Sequence, residues 1–267
     1  MKVDFHSHTS ESDGTLSPQQ LSDFMGERGV EVFSISDHDS LAAYGAFTPP
    51  PGARVITGIE INTTYRHNEV HVLGYGMNVD APGLQAMIAH NCEERRRRVE
   101  RMVAQLQRAG YGITMHDVLE QAGRAQALGR PHVAKALVVK GFASDVSAAF
   151  RNLLRGGKPG YVPSTHVTPQ QAIEMIRAGG GITVLAHPGR LKDRSIIDEL
   201  ARCGLAGLEV FYPLHDADDV AHFRAKAAEH HLVMTAGSDF HDLRYHTRGV
   251  GMDVDIADIA PFLDLIA

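Results

Sequence analysis

His6 and His8 close the first apolar run of the chain, two residues apart. Alternate residues of a strand project to the same side, so both imidazoles can face one ion. Asp239 and His241 repeat that spacing inside Gly237-Ser238-Asp239-Phe240-His241. Between these pairs lie Asp37-His38-Asp39 after a second apolar run, Gly58-Ile59-Glu60 after a third, His71 within Glu69-Val70-His71-Val72, and Ala186-His187-Pro188. Asp13 follows in the loop beyond His8. A lone strand-end histidine is ordinarily structural, but here an imidazole or carboxylate ends one apolar run after another. Such donors without thiolate suit Mn, Zn or Fe and not a closed structural zinc site. His6, His8, Asp13, His38, Glu60, His71, His187, Asp239 and His241 are more donors than one ion takes, so several divalent ions are expected.

Strands must position them. Short β-branched or apolar runs at Val3 to Phe5, Val32 to Ser36, Arg54 to Ile61, Val70 to Tyr75, Ile182 to Ala186, Gly207 to Phe211 and Val233 to Gly237 give seven candidates. Ser17-Pro18 opens a helix that Gly29 closes, and Thr168-Pro169 opens another that ends before Gly179. Alternating strands and helices imply a parallel α/β arrangement. His-Ser-His stands where a dinucleotide fold would place its glycine-rich loop, so a closed barrel is expected, with its chemistry at the carboxyl ends of the strands. The rhythm breaks at 80–163, which reads as helical throughout and as an insertion in a barrel made of 1–79 and 164–267.

The 267 residues carry 26 Lys and Arg against 32 Asp and Glu, a formal charge of −6 that argues against holding long duplexes by bulk charge. Hydrophobic residues at 43% and charged residues at 22% exclude a disordered or fibrous chain. No apolar run approaches a membrane span and the first residues lack a signal-peptide core, so a cytoplasmic protein without membrane contact is expected. Cys92 and Cys203 suggest no disulfide framework. Nothing in the sequence points to a protein partner. Histidine, at 16 residues, is the outlier, and it points to metal chemistry.

His6-Ser7-His8, Asp13-Gly14, Ser36-Asp37-His38-Asp39, Gly58-Ile59-Glu60, Ala186-His187-Pro188 and Gly237-Ser238-Asp239-Phe240-His241 resemble, in order and spacing, the motif series of the PHP (polymerase and histidinol phosphatase) family. The resemblance spans residues 6 to 241 apart from the helical insertion. It implies a distorted seven-stranded (β/α) barrel, TIM-like and related to the amidohydrolases, with a trinuclear site. One ion would take His6, His8, Glu60 and Asp239, a second Glu60, His71 and His187, a third Asp13, His38 and His241. Glu60, Asp239 and His187 are the implied catalytic positions, and manganese is the favoured metal, with zinc or iron as alternatives.

Gly129-Arg130-Pro131-His132-Val133-Ala134 and Gly157-Lys158-Pro159-Gly160-Tyr161-Val162 resemble cap signatures of the branch that holds 3',5'-nucleoside bisphosphate phosphatases and 5'-to-3' exoribonucleases. Arg130 stands at a helix start, where free amides favour an anion, and Lys135 follows on the same helix. Arg130, Lys135, Lys158 and His166 are therefore substrate-binding candidates, with Tyr65, His67 and His215 as weaker ones. The expected reaction is metal-assisted attack of water on the 3'-phosphate of a nucleoside bisphosphate. Rival readings are release of nucleotides from the 5' ends of short RNA, histidinol phosphate or C–N hydrolysis, and a noncatalytic metal-stabilised module. The four arginines from Arg95 to Arg98 fan around a helix and are read as a solvated surface, not an RNA track.

Overall fold

Ser17 accepts from the amide of Gln20 while the Gln20 side chain reaches back to Ser17, and Pro18 fixes the first turn, so helix α1 runs Pro18–Glu27. Thr168, Pro169 and Gln171 repeat the device at α6, Pro169–Ala178. The computed structural model describes residues 1–66, 68–244 and 249–267. Its strands are β1 (Lys2–Asp4), β2 (Val32–Phe33), β3 (Arg54–Val55), β4 (Gly58–Tyr65), β5 (Asn68–Tyr75), β6 (Ile182–Leu185), β7 (Gly207–Phe211), β8 (Val233–Ala236) and β9 (Met252–Asp253). The other helices are α2 (Pro82–Arg108), α3 (Met115–Ala122), α4 (Arg130–Val139), α5 (Val146–Ala149), α7 (Ile196–Arg202), α8 (Ala217–His230) and α9 (Ile256–Leu265). No helix among the described residues is long and apolar enough to cross a membrane.

The chain is an α/β protein with two sheets, ordered β3-β2-β1-β9 and β4-β5-β6-β7-β8. The expectation of parallel strands holds for β1-β2-β3 and for β6-β7-β8 and fails elsewhere. β4 pairs antiparallel with β5, from Gly58 opposite Tyr75 to Tyr65 opposite Asn68, and β5 pairs antiparallel with β6. So close a succession of β4 and β5 leaves no chain for a crossover helix, so a hairpin is the only connection available. The run Arg54 to Ile61 splits into β3 and β4, and β9 carries too few residues to announce itself. Beyond the regular strands, single bridges join Ser7 to Phe240 and His38 to Glu60 across the two sheets. Phe5 also donates to the carbonyl of Ala236 at 2.9 Å and Asp239 to that of His6 at 2.8 Å.

The sheets bury Ile59, Ile61, Val72, Leu185, Leu208 and Val210 against Ile173 and Ile176 of α6. A separate cluster, with Val99, Met102, Leu106, Ile113, Val118, Val133, Leu137 and Leu154, holds α3, α4 and α5 on the carboxyl-terminal half of α2. The amino-terminal half of α2 belongs to the sheet core through Leu84, Met87 and Ile88. One long helix is thus shared by two cores, so burial of either apolar face steadies the other.

Candidate metal centre

Every donor expected from the sequence converges. His6 and His8 leave the end of β1, Glu60 lies in β4, His71 in β5, His187 follows β6, and Asp239 and His241 follow β8. The Nε2 atoms of His6 and His8 stand 3.1 Å apart, and the pair faces Glu60 Oε2 at 3.4 and 3.3 Å and Asp239 Oδ1 at 3.4 and 3.2 Å. Donors about 2.1 Å from an ion at the centre of a tetrahedron would lie about 3.4 Å from one another, so this is the spacing of a ligand shell. A second group joins Asp13, His38 and His241 with His8, with His241 Nε2 to Asp13 Oδ1 at 3.2 Å and His38 Nε2 to Asp13 Oδ2 at 3.7 Å. Glu60 serves several sides at once. Its Oε1 meets His71 Nδ1 at 2.8 Å and His187 Nε2 at 3.1 Å, while His38 Nδ1 stands 2.8 Å from Oε2. Despite these neighbours, the buried Oε2 accepts no well-directed hydrogen bond, and His38 Nδ1, which faces it, makes none either. Buried polar atoms aimed at a common point without hydrogen bonds fit a metal and fit little else.

The electrostatics keep the carboxylates, His8 and His187 in their ligating form. Burial works against the charge of Glu60, but His71, His38 and His6 hold it well below the ordinary carboxylate range. Asp239 is likewise lowered, against burial, by His6 and His241. Burial, with the neighbouring His241 and His38, pushes His8 down to about 3, and burial pushes His187 down to about 4. His6, His38 and His241 are the reverse case: against burial, Glu209 and Glu60 raise His6, Glu60 and Asp13 raise His38, and Asp13 and Asp239 raise His241 to about 9. A metal must therefore displace a proton there, which makes its affinity pH-dependent.

Backbone strain gathers at the same place. Asp39, His187 and Asp239 have φ of 46°, 30° and 53°, left-handed conformations that residues with a side chain adopt at a cost of about 1–3 kcal/mol each. Glu209 of β7, which the local sequence pattern does not single out, receives the His187 amide on Oε2 at 2.6 Å and meets His6 Nδ1 with Oε1 at 2.9 Å. It orients one donor and steadies another. A Cβ on Gly237 would stand 2.2 Å from the His6 Cβ and 2.5 Å from Glu209 Oε1, so only glycine lets the three approach. A carboxylate in the middle of an otherwise apolar strand was the available signal for Glu209.

The centre opens into a cavity of about 1120 Å³ whose walls include Arg95, Arg98, Arg130, Lys135, Arg190 and Tyr212. Arg130 and Lys135 both line it, with Lys135 Nζ donating to the Asp13 carbonyl at 3.1 Å and Arg130 paired with Glu69. Lys158 is exposed and lines neither this cavity nor its smaller neighbour, because its loop turns outward after Arg155. His166 is buried, lines neither cavity and has both ring nitrogens unpartnered. Tyr65 donates to Glu199, and His215 bonds Gly189 and Val210 in the turn beyond His187. His67 and His246 lie outside the described residues.

The arginine run is corrected in half. Arg96 and Arg97 are exposed, but Arg95 and Arg98, three apart on one face of α2, are only 6% and 7% exposed and line the cavity. Arg190 and the Tyr212 hydroxyl donate to Asp239 Oδ2 at 3.2 and 3.1 Å, two further contacts the sequence did not disclose.

No family model matches the chain. It is 32% identical over 266 residues to a 3',5'-nucleoside bisphosphate phosphatase of Chromobacterium violaceum, covering 96% of this chain and 93% of that one. It is also 32% identical over 248 residues to the 5'-3' exoribonuclease Rnm of Escherichia coli, covering 89% and 84%. A solved structure from Bifidobacterium adolescentis, assigned as a metal-dependent phosphoesterase, superposes with a TM-score of 0.81 at 31% identity over 90% of this chain and 87% of that one. With a buried imidazole–carboxylate centre and relatives matched over nearly their full length, the chain belongs to the PHP-like family of metal-dependent phosphoesterases.

Proposed function

We propose that the protein removes the 3'-phosphate of 3',5'-nucleoside bisphosphates, giving a nucleoside 5'-monophosphate and phosphate. The observation that carries this reading is one cavity that joins the donor cluster to Arg98, Arg130, Lys135 and Arg190. A phosphate at the cluster leaves these cations to hold a second one. The Chromobacterium relative, named for that substrate, supports it.

In this reading His6, His8, Glu60 and Asp239 would hold one ion, Glu60, His71 and His187 a second, and Asp13, His38 and His241 a third. Divalent ions, manganese favoured, would supply an acidified water and spread the charge of the reacting phosphate. Glu60, Asp239 and His187 are the catalytic positions: Asp239 and His187 face the cavity and Glu60 links the donor groups. Water adds at phosphorus as the bond to the 3'-oxygen breaks, and that oxygen leaves with a proton. The nearby hydroxyls are already committed, Ser7 to the Ser34 carbonyl at 2.9 Å and Ser238 to Asp4 at 2.6 Å, which supports direct attack without a phosphoenzyme.

A distorted seven-stranded (β/α) barrel made of 1–79 and 164–267, with 80–163 as a cap, suits this chemistry. The bridges Ser7–Phe240 and His38–Glu60 support closure, and the separate helical core supports the cap. A reducing cytoplasmic compartment suits the unpaired Cys92 and Cys203. The test is a panel of Mn-loaded reactions on 3',5'-bisphosphates, 5'-monophosphates and short 5'-phosphorylated RNA. Phosphate release from the bisphosphates is the expected result; cleavage of RNA alone would replace this reading with the exoribonuclease one.

A further inference from the structure

Beside the main cavity lies a second one of about 390 Å³, and the two share Glu69, Arg98, Arg130 and Arg190 as walls. The cations Arg66, Arg98, Arg130, Arg155, Arg190 and Lys192 face it against the acids Glu69 and Asp193, in a chain whose formal charge is −6. Most of these cations already meet a carboxylate: Arg66 meets Glu199 and Asp193, Arg98 and Arg130 share Glu69, and Arg190 meets Asp239. Arg155 and Lys192 are exposed and form no ion pair among the described residues. They come from different parts of the fold, Arg155 directly after Leu154 of the helical core and Lys192 after β6, yet line the same pocket. Arg98 stands between the two spaces. It is only 7% exposed, with Nε on the Val162 carbonyl at 3.0 Å and one terminal nitrogen on Glu69 at 2.6 Å, while its other terminal nitrogen bonds no described residue. A guanidinium fixed in this way holds a donor ready for an anion.

We propose that the outer pocket holds a further phosphoryl group carried on the 5'-phosphate of the substrate, so that nucleoside 3'-phosphate 5'-diphosphates are hydrolysed at their 3'-phosphate. The proposal rests on the reading of the main cavity as a 3',5'-bisphosphate site. In that reading Arg98, Arg130, Lys135 and Arg190 hold the 5'-phosphate, and all of them except Lys135 also line the outer pocket. A group joined to the 5'-phosphate therefore lies at the opening between the two spaces, with Arg155 and Lys192 ahead of it. A terminal phosphoryl group carries the charge that these two cations lack, and a cleft lined by one sign of charge focuses its field on such a group. The pocket is near the lower end of the range of about 300–1,000 Å³ for small-molecule sites, which suits a phosphoryl group and its waters. The bond that breaks is unchanged. Water replaces the 3'-oxygen at phosphorus, the anhydride of the 5'-diphosphate stays intact, and the products are a nucleoside 5'-diphosphate and phosphate. A 5'-monophosphate leaves Arg155 and Lys192 without an anion.

The test follows release of the 3'-phosphate from adenosine 3'-phosphate 5'-diphosphate and from adenosine 3',5'-bisphosphate, in the manganese-loaded wild type and in an Arg155→Ala, Lys192→Ala double variant. In the wild type, kcat/KM for the diphosphate is expected to equal or exceed that for the bisphosphate. In the double variant it should fall about tenfold or more, while the value for the bisphosphate changes less than about twofold. Calorimetry gives a reading that needs no turnover. At one fixed manganese concentration the wild type should bind ADP about tenfold more tightly than AMP, and the double variant should bind the two within about threefold of each other. ADP bound no more tightly than AMP by the wild type, or equal losses on both substrates in the double variant, would overturn the subsite. Absence of bisphosphate hydrolysis in the wild type would instead overturn the proposed function, and the calorimetry would still decide the pocket.

Discussion

Arg95 Nε donates to Asp39 Oδ2 at 2.6 Å in a buried ion pair that ties α2 to the loop after β2. The same guanidinium reaches Asn62 Oδ1 and the Leu128 carbonyl, and Asn91 donates to the other Asp39 oxygen at 2.7 Å. Asn62 in turn meets His71 Nε2 at 3.1 Å, so the helix is connected by side chains to the metal centre. Arg95→Ala would strand a buried carboxylate, and breaking such a pair from one side costs about 3–5 kcal/mol. Urea unfolding should register a loss of that order. Arg95→Lys should recover part of it, since the charge remains while the forked contact to Asn62 goes. Equal stability of wild type and Arg95→Ala would show that the pair is not maintained in solution.

The donor surplus predicts a metal content above one ion per chain after preparation with manganese. Glu60→Ala should lower it most, because the two Glu60 oxygens face different donor groups. Asp13→Ala or His241→Ala should remove about one ion and leave the His6, His8 and Asp239 group filled. Elemental analysis decides, and full activity at a ratio of one would remove the multinuclear mechanism.

Glu209 touches no proposed substrate, yet it meets His6 and the strained His187. Partners that orient a ligand typically govern affinity by about 10–100-fold. Glu209→Ala should weaken metal retention in a chelator competition by that factor, with Glu209→Gln closer to wild type because its amide keeps the shape. Unaltered metal affinity in both variants would reduce Glu209 to packing.

Most donors were legible because they close an apolar run, where alternation fixes the side a residue faces; Glu60 and His71 lie inside β4 and β5, and Asp13 in a loop. Strand direction was less so: the spacing of Tyr65 and Asn68 dictates a hairpin, but the apolar pattern alone does not separate parallel from antiparallel. Which cations of the helical segment reach the cavity was harder to read. Lys158 belongs to a motif yet lies on an outward loop, whereas Arg95 and Arg98 sit in a charged run whose burial depends on what α2 packs against. Arg190 and Tyr212 act through a partner far away in sequence, which no local window displays, whereas Glu209 is a carboxylate in an apolar strand.

His166 is 7% exposed, with no hydrogen bond to either ring nitrogen, and burial together with Arg95 pushes its pKa down to about 3. The unfolded chain takes up this proton near pH 6.5, the folded chain only near 3. Above 6.5 the site has no effect; between the two values the unfolded state is favoured as pH falls, by up to about 1.4 kcal/mol per pH unit. His166→Leu removes no hydrogen bond and should unfold less readily than wild type at pH 5, with the gap closing by pH 7.5. Parallel stability curves for the two proteins would show that His166 gains a partner or water in solution.

Arg130 lies across the cavity wall from the donor cluster and is paired with Glu69, whose carboxyl is held, against burial, far below its usual range by Arg130 and Arg98. Glu69 therefore remains an anion at neutral pH and keeps Arg130 directed along the wall. Arg130→Ala removes a cation from the place proposed for the second phosphate without touching a metal donor. A charge-assisted hydrogen bond is worth about 1.5–3 kcal/mol, so kcat/KM for a 3',5'-bisphosphate should fall roughly 10- to 150-fold. A phosphomonoester lacking the second phosphate should be hydrolysed nearly as before, with metal content unchanged. Glu69→Gln should give the milder defect, since it frees the guanidinium without deleting it. If Arg130→Ala instead loses metal and retains its preference for bisphosphates, the helical segment supports the centre and does not read the substrate.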